Sequence, residues 1–242
     1  MIQGVFIFLI ILFAYSFWWF DFYFFKNNIN IFEKEFKKLV SKSDVVLIFN
    51  SGGWGTIDYK KANDLNPFSK CIKDYLKKKN LKVSIVQYFR TEDHIIGKLG
   101  YLKDYASAFE KQSKAIANII SKTNKKVVLL GLSNGALMAD EIMDRVKRKN
   151  NIFSIELGKP FFGVHSNNKN ILLINDFKDD LSNGKTIELL KTVFIYAPLK
   201  WIKSFFLGEK IPFGKMVEVK GHYYPIERHE KRVINFINKK II

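Results

Sequence analysis

The pentapeptide Gly131-Leu132-Ser133-Asn134-Gly135 sets a serine between two glycines. A serine hydroxyl becomes a nucleophile when a neighbouring base takes its proton. It is best presented on a tight strand-to-helix turn, where small neighbours let strand and helix approach closely. Gly131 and Gly135 supply that room, as the nucleophile elbow of such a turn requires. Three aspartates, Asp176, Asp179 and Asp180, crowd one later segment, and at least one of them reads as a turn former. The four histidines are His94, His165, His222 and His229. The single cysteine, Cys71, leaves no cysteine-based metal site and no internal disulfide to build, and no metal or organic cofactor is expected.

The elements that must position these residues are legible as apolar runs. Val45-Val46-Leu47-Ile48-Phe49 reads as a buried strand entering the glycine-rich turn Asn50-Ser51-Gly52-Gly53-Trp54-Gly55. Lys82 to Tyr88 reads as a second strand. One long helix is expected next, with Leu102, Tyr105, Ala106, Phe109, Ile116, Ile119 and Ile120 on a face. Val127 to Leu130 is a third strand, and Ala136, Leu137, Ile142, Met143 and Val146 continue from Ser133 as a helix. Ile152 to Leu157, Ile171 to Ile174 and Met216 to Val219 are further strands, and Ile226 to Ile241 forms a closing amphipathic helix. Alternating apolar strands and helices imply an α/β fold with a mostly parallel sheet flanked by helices.

With its elbow between strand and helix, the sequence resembles the α/β-hydrolase superfamily from about Val45 to the C-terminus. The resemblance implies the chain order nucleophile, acid, histidine: Ser133, then Asp179 in the loop after Ile171-Leu172-Leu173-Ile174, then His222 in Lys220-Gly221-His222-Tyr223. Asp176 and Asp180 stand as alternative acids. Residues 50–55 resemble the family's His-Gly-Gly-Gly-Trp oxyanion loop, with Asn50 and Ser51 in place of its first two residues. It implies backbone donors at Gly52 and Gly53, with a second donor at the N–H of Asn134, whose side chain is expected to pack or cap. The activity implied is that of a serine esterase or lipase-like carboxylic-ester hydrolase. An inactive hydrolase-fold scaffold, or an acyltransferase using the same triad, are the alternatives.

No charged side chain occurs from Met1 to Phe20, and the apolar run continues past Asp21 to Phe25. About 20 helical residues suffice to cross a bilayer. Residues 1–25 are therefore expected to be a transmembrane anchor, residues 26–43 a linker helix and residues 44–242 the hydrolase domain. Lys26, Lys34, Lys37, Lys38 and Lys42 follow the anchor, which places the domain in the cytoplasm by the positive-inside rule. The net charge of +17 comes from lysines spread along the chain, without the signature of a nucleic-acid binder, so no nucleic-acid partner is expected. Residues 192–207 are aromatic and basic together, which suits a lid over an acyl pocket, an interfacial segment or ordinary packing. A small-molecule acyl or lipid-like substrate is expected.

Overall fold

The structure is a computed structural model, and it describes residues 2–107, 109–163, 166–208 and 219–242. Five strands form one parallel sheet: β1 (Val45–Asn50), β2 (Val83–Gln87), β3 (Lys126–Leu132), β4 (Ile152–Leu157) and β5 (Ile171–Ile174), in the order β2-β1-β3-β4-β5. The α/β class with a helix-flanked parallel sheet is thus the architecture observed. The proposed strand Met216–Val219 and His165 lie outside the described residues, apart from Val219 itself.

The pleat explains why the strands read as continuous apolar runs. Successive residues of β1 face opposite sides, Val46 and Ile48 into one core cluster and Val45, Leu47 and Phe49 into the other. The first cluster is closed by α2 (Phe25–Val40), α5 (Glu110–Ile120) and α6 (Asn134–Arg145), and the second by α3 (Asn66–Lys78) and the C-terminal helix (Ile226–Lys240). The central strands are covered on both faces and read mainly as apolar runs, with β4 the exception, where buried Ser154 and Glu156 alternate with Phe153, Ile155 and Leu157.

One segment differs from expectation. The single helix expected to include Leu102 through Ile120 is two, α4 (Ile95–Ala106) and α5. The chain breaks at Phe109, which takes a left-handed φ of 62° while its N–H bonds the Asp104 carbonyl, and its ring remains in the core. Apolar spacing is preserved across the break, which is why periodicity alone missed it. The stretch expected as a linker helix is continuous with the apolar N-terminal helix α1 (Ile2–Trp18) through a π-helical turn, and it buries Phe32 and Phe36 in the first cluster. Phe32 meets Tyr88 edge to face at 5.5 Å, so α2 is packed as part of the domain.

In a sheet ordered 2-1-3-4-5, the connections leave β1 and β3 in opposite directions, opening a crevice beyond their carboxyl ends. The register pairs Asn50 with Gly131 there, which brings the glycine-rich loop beside the Ser133 elbow.

Candidate active site

Ser133 sits between β3 and α6 with φ 54° and ψ −122°, a conformation that costs a non-glycine residue energy and is held by its surroundings. Its N–H donates to the Leu157 carbonyl at 2.9 Å, and its carbonyl accepts from Ala136 and Leu137, so both ends of the elbow are pinned. The flanking glycines are required by packing: a Cβ on Gly131 would collide with the Gly135 carbonyl, and one on Gly135 with the Asn50 carbonyl.

His222 lies on the loop before the C-terminal helix, and its Nδ1 is 2.8 Å from Asp179 Oδ2. The same carboxylate oxygen accepts from the Tyr224 hydroxyl at 2.5 Å, and Oδ1 accepts the Leu181 N–H at 2.9 Å and the Ser182 N–H at 3.3 Å. Burial by itself would raise the Asp179 pKa, but the bonds and charge offered by His222, with Tyr224 and Ser182, hold it below the ordinary carboxylate value. Burial and the Asp179 carboxylate push the Tyr224 phenol upward, so it stays a donor. Asp176 accepts from the Lys178 N–H as a turn former, and Asp180 pairs with Lys185 at 2.8 Å, so neither alternative acid bonds His222.

The other ring nitrogen, His222 Nε2, is buried and has no hydrogen-bond partner, and no bond joins it to Ser133. Ser133 and His222 line one cavity of about 500 Å³ together with Gly52, Gly53 and Asn134. The ring edge also packs by Gly158, the residue that follows Leu157, whose carbonyl accepts the Ser133 N–H. Catalytic hydrogen bonds are commonly loose or unformed without substrate. The other described histidines are engaged elsewhere: His94 caps α4 by accepting the Gly97 N–H, and the His229 ring lies against Phe68 and Tyr224.

The glycine-rich loop is fastened from behind by a residue that sequence reasoning missed. Arg90, fully buried, donates from Nη2 to the Gly53 carbonyl at 2.7 Å and to the Gly52 carbonyl at 3.3 Å. Its guanidinium lies 6.0 Å from the centre of the Tyr101 ring and 5.7 Å from that of Phe109. The Asn134 side chain, expected only to pack or cap, donates to the Gly53 carbonyl at 3.3 Å and so ties the loop to the elbow. A trans peptide points its N–H opposite its C=O. Carbonyls of Gly52 and Gly53 drawn toward Arg90 therefore turn the N–H groups of Gly53 and Trp54 the other way. The N–H of Asn134, in the first turn of α6, needs no partner within its helix. Tyr224 was also unforeseen, two residues beyond the histidine. Arg90 had one available signal, its place just past the carboxyl end of β2.

No family model and no curated protein matches the chain. Among solved structures, Trichoderma reesei cutinase in complex with a C11Y4 phosphonate inhibitor aligns over 90% of this chain and 90% of that one, at 12% identity and a TM-score of 0.47. So distant a likeness leaves the chemistry to be read from the residues themselves.

Proposed function

We propose that the chain is a serine hydrolase that cleaves carboxylic esters through an acyl-enzyme, with Ser133 as nucleophile, His222 as base and Asp179 as the acid that orients it. One observation carries this reading. A half-buried imidazole with Asp179 on one nitrogen and no partner on the other, itself buried, shares a cavity with a serine held at positive φ on a glycine-flanked elbow.

The chemistry follows from those roles. His222 Nε2 takes the Oγ proton as Oγ adds to the ester carbonyl carbon. Negative charge then develops on the carbonyl oxygen, facing the N–H of Asn134 and, from the glycine-rich loop, the N–H of Gly53. Collapse breaks the bond to the alkoxy oxygen, which leaves with the proton from His222. Water repeats the sequence: the imidazole takes its proton, its oxygen attacks the acyl carbon, and Ser133 departs as a hydroxyl. Asp179 stays ionised and stabilises the imidazolium formed in each half.

The cavity is lined by Trp54, Tyr101, Leu102 and Leu132, apolar surface suited to an acyl chain. The helix from Val5 to Val40 is long and apolar enough near the N-terminus to cross a membrane, and we read its first part as an anchor, with the domain on the cytoplasmic side. With purified full-length protein and p-nitrophenyl esters of graded chain length, wild type is expected to turn over, and Ser133→Ala to lose on the order of 10⁴-fold or more in kcat. A folded wild type with no activity on any chain length would refute the hydrolase reading.

A further inference from the structure

The long N-terminal helix leaves the domain on the same face as the cavity mouth. From Val40 the chain turns through residues 41–44 into β1, so α2 runs antiparallel to the strands. The Asn28 side chain donates to the Phe89 carbonyl, just past the carboxyl end of β2. At residue 28 the helix has therefore reached the level of the strand ends, and everything N-terminal to it projects beyond them. Ser133, His222 and the glycine-rich loop lie at those ends too.

The projecting helix is fastened to the wall of the cavity. Gly100 of α4 comes against the Ser16 carbonyl and the Phe20 side chain, closely enough that a Cβ there would overlap both. Asp21 pairs with Lys111 at 2.8 Å and with Lys103, and Trp19 meets His94 edge to face at 4.8 Å. The next turns of α4 supply Tyr101, Leu102 and Tyr105 to the cavity. A bilayer holding α1 would thus lie over the α4 side of the mouth.

The rim on the opposite side has the wrong polarity for water. The segment α7 (Thr186–Lys191), a π-helical stretch (Thr192–Tyr196) and α8 (Ala197–Phe206) face His222 across a second groove. Its buried positions include the small residues Ala197 and Ser204, while Phe194 is 72% and Phe206 81% exposed. A helix that packs small residues inward and presents large apolar ones outward is built to meet an apolar phase. Lys200 and Lys203 lie among those residues, as at the headgroup level of an anionic leaflet. On the α4 side, Ile95 and Leu102 are exposed, and Trp18, Phe22 and Tyr23 carry exposed aromatic surface down the long helix to the same rim.

We propose that this face docks on the anionic bilayer that holds α1, with α8 lying in the headgroup layer and the mouth of the Ser133 cavity opening directly against lipid. The proposal rests on the reading of α1 as an anchor and not on catalysis.

The test uses full-length protein in a Cys71→Ser background, reconstituted into vesicles of phosphatidylcholine and phosphatidylglycerol. Single bimane-labelled sites are made by Ile10→Cys in α1, Phe206→Cys on the rim, and Asn150→Cys just before β4, at the amino end of the strands and so away from the cavity mouth. Lipids carrying a doxyl quencher near the headgroup or deep in the chain report depth. Deep quenching is expected at position 10. Shallow quenching at position 206 should exceed that at position 150 by about twofold or more, as for a helix seated ~5–10 Å into the interface. Quenching at 206 no greater than at 150, with position 10 deeply quenched, would overturn the docking surface alone. An unquenched position 10 would overturn the anchor and the docking surface together.

Discussion

Asp179 collects four donors, two on each oxygen: the His222 ring and the Tyr224 hydroxyl on Oδ2, and the N–H groups of Leu181 and Ser182 on Oδ1. Those donors, His222 foremost among them, outweigh the burial that would otherwise raise its pKa. Because the folded value is depressed, Asp179 contributes stability above the unfolded carboxylate pKa and loses it as pH falls through the folded one. Tyr224→Phe removes a donor and leaves more negative charge facing the imidazole. The acidic limb of the kcat/KM profile is then expected to move to higher pH, with kcat falling by less than about tenfold. A limb that stays or moves down would contradict this role for Tyr224. Arg90 acts at one remove from the chemistry, through the carbonyls of Gly52 and Gly53. Both bonds leave the one nitrogen Nη2, at the tip of a planar guanidinium lying beside the Tyr101 and Phe109 rings, and a lysine ammonium would keep the charge without that planar body. Arg90→Lys is expected to lower kcat by about 10–100-fold with KM little changed, because only transition-state charge meets the loop donors. An equal rise in KM with kcat intact would make Arg90 a substrate-binding support instead.

At the level of elements, the site depends on two loops that meet: the acid loop after β5 and the histidine loop before the C-terminal helix. Gly221 adopts φ +76°, and a Cβ there would strike the Lys178 carbonyl, next to Asp179. The Asp180 N–H donates to the Lys220 carbonyl at 3.1 Å, completing the join. Gly221→Ala must push the loops apart. Activity is expected to fall by about tenfold or more while the circular dichroism of the sheet and helices is retained; unchanged kinetics would show that the loops are positioned otherwise. The elbow and the strands were legible from sequence because each is a local pattern: apolar runs of strand length, and a serine between glycines. What escaped depends on contacts between segments remote in sequence. Arg90 is an ordinary basic residue until β2 lays it behind the glycine-rich loop. The three aspartates cannot be ranked locally, since the His222 bond that distinguishes Asp179 closes across 43 residues. The break at Phe109 escaped because its ring stays buried on the same face whether or not the helix continues.

For the whole molecule, one long helix carries two kinds of surface: α2 buries Phe32 and Phe36 in the core while α1 exposes apolar residues from Val5 to Trp18. Lys26, Lys34, Lys37, Lys38 and Lys42 follow the apolar part, the distribution on which the proposed cytoplasmic orientation of the sheet rests. A reporter active only in the cytoplasm, fused after Ile242, is expected to be active, and an exported signal there would reverse the orientation. The central claim can be measured without choosing a substrate. A fluorophosphonate probe reacts only with a serine whose proton has somewhere to go, and its adduct can be mapped by peptide mass spectrometry. Wild-type protein should carry the adduct on Ser133, His222→Ala should label at least about 10³-fold more slowly, and Ser133→Ala should not label. A folded wild type that resists the probe, or that labels at Ser133 equally well without His222, would contradict the proposal that these two residues act as nucleophile and base.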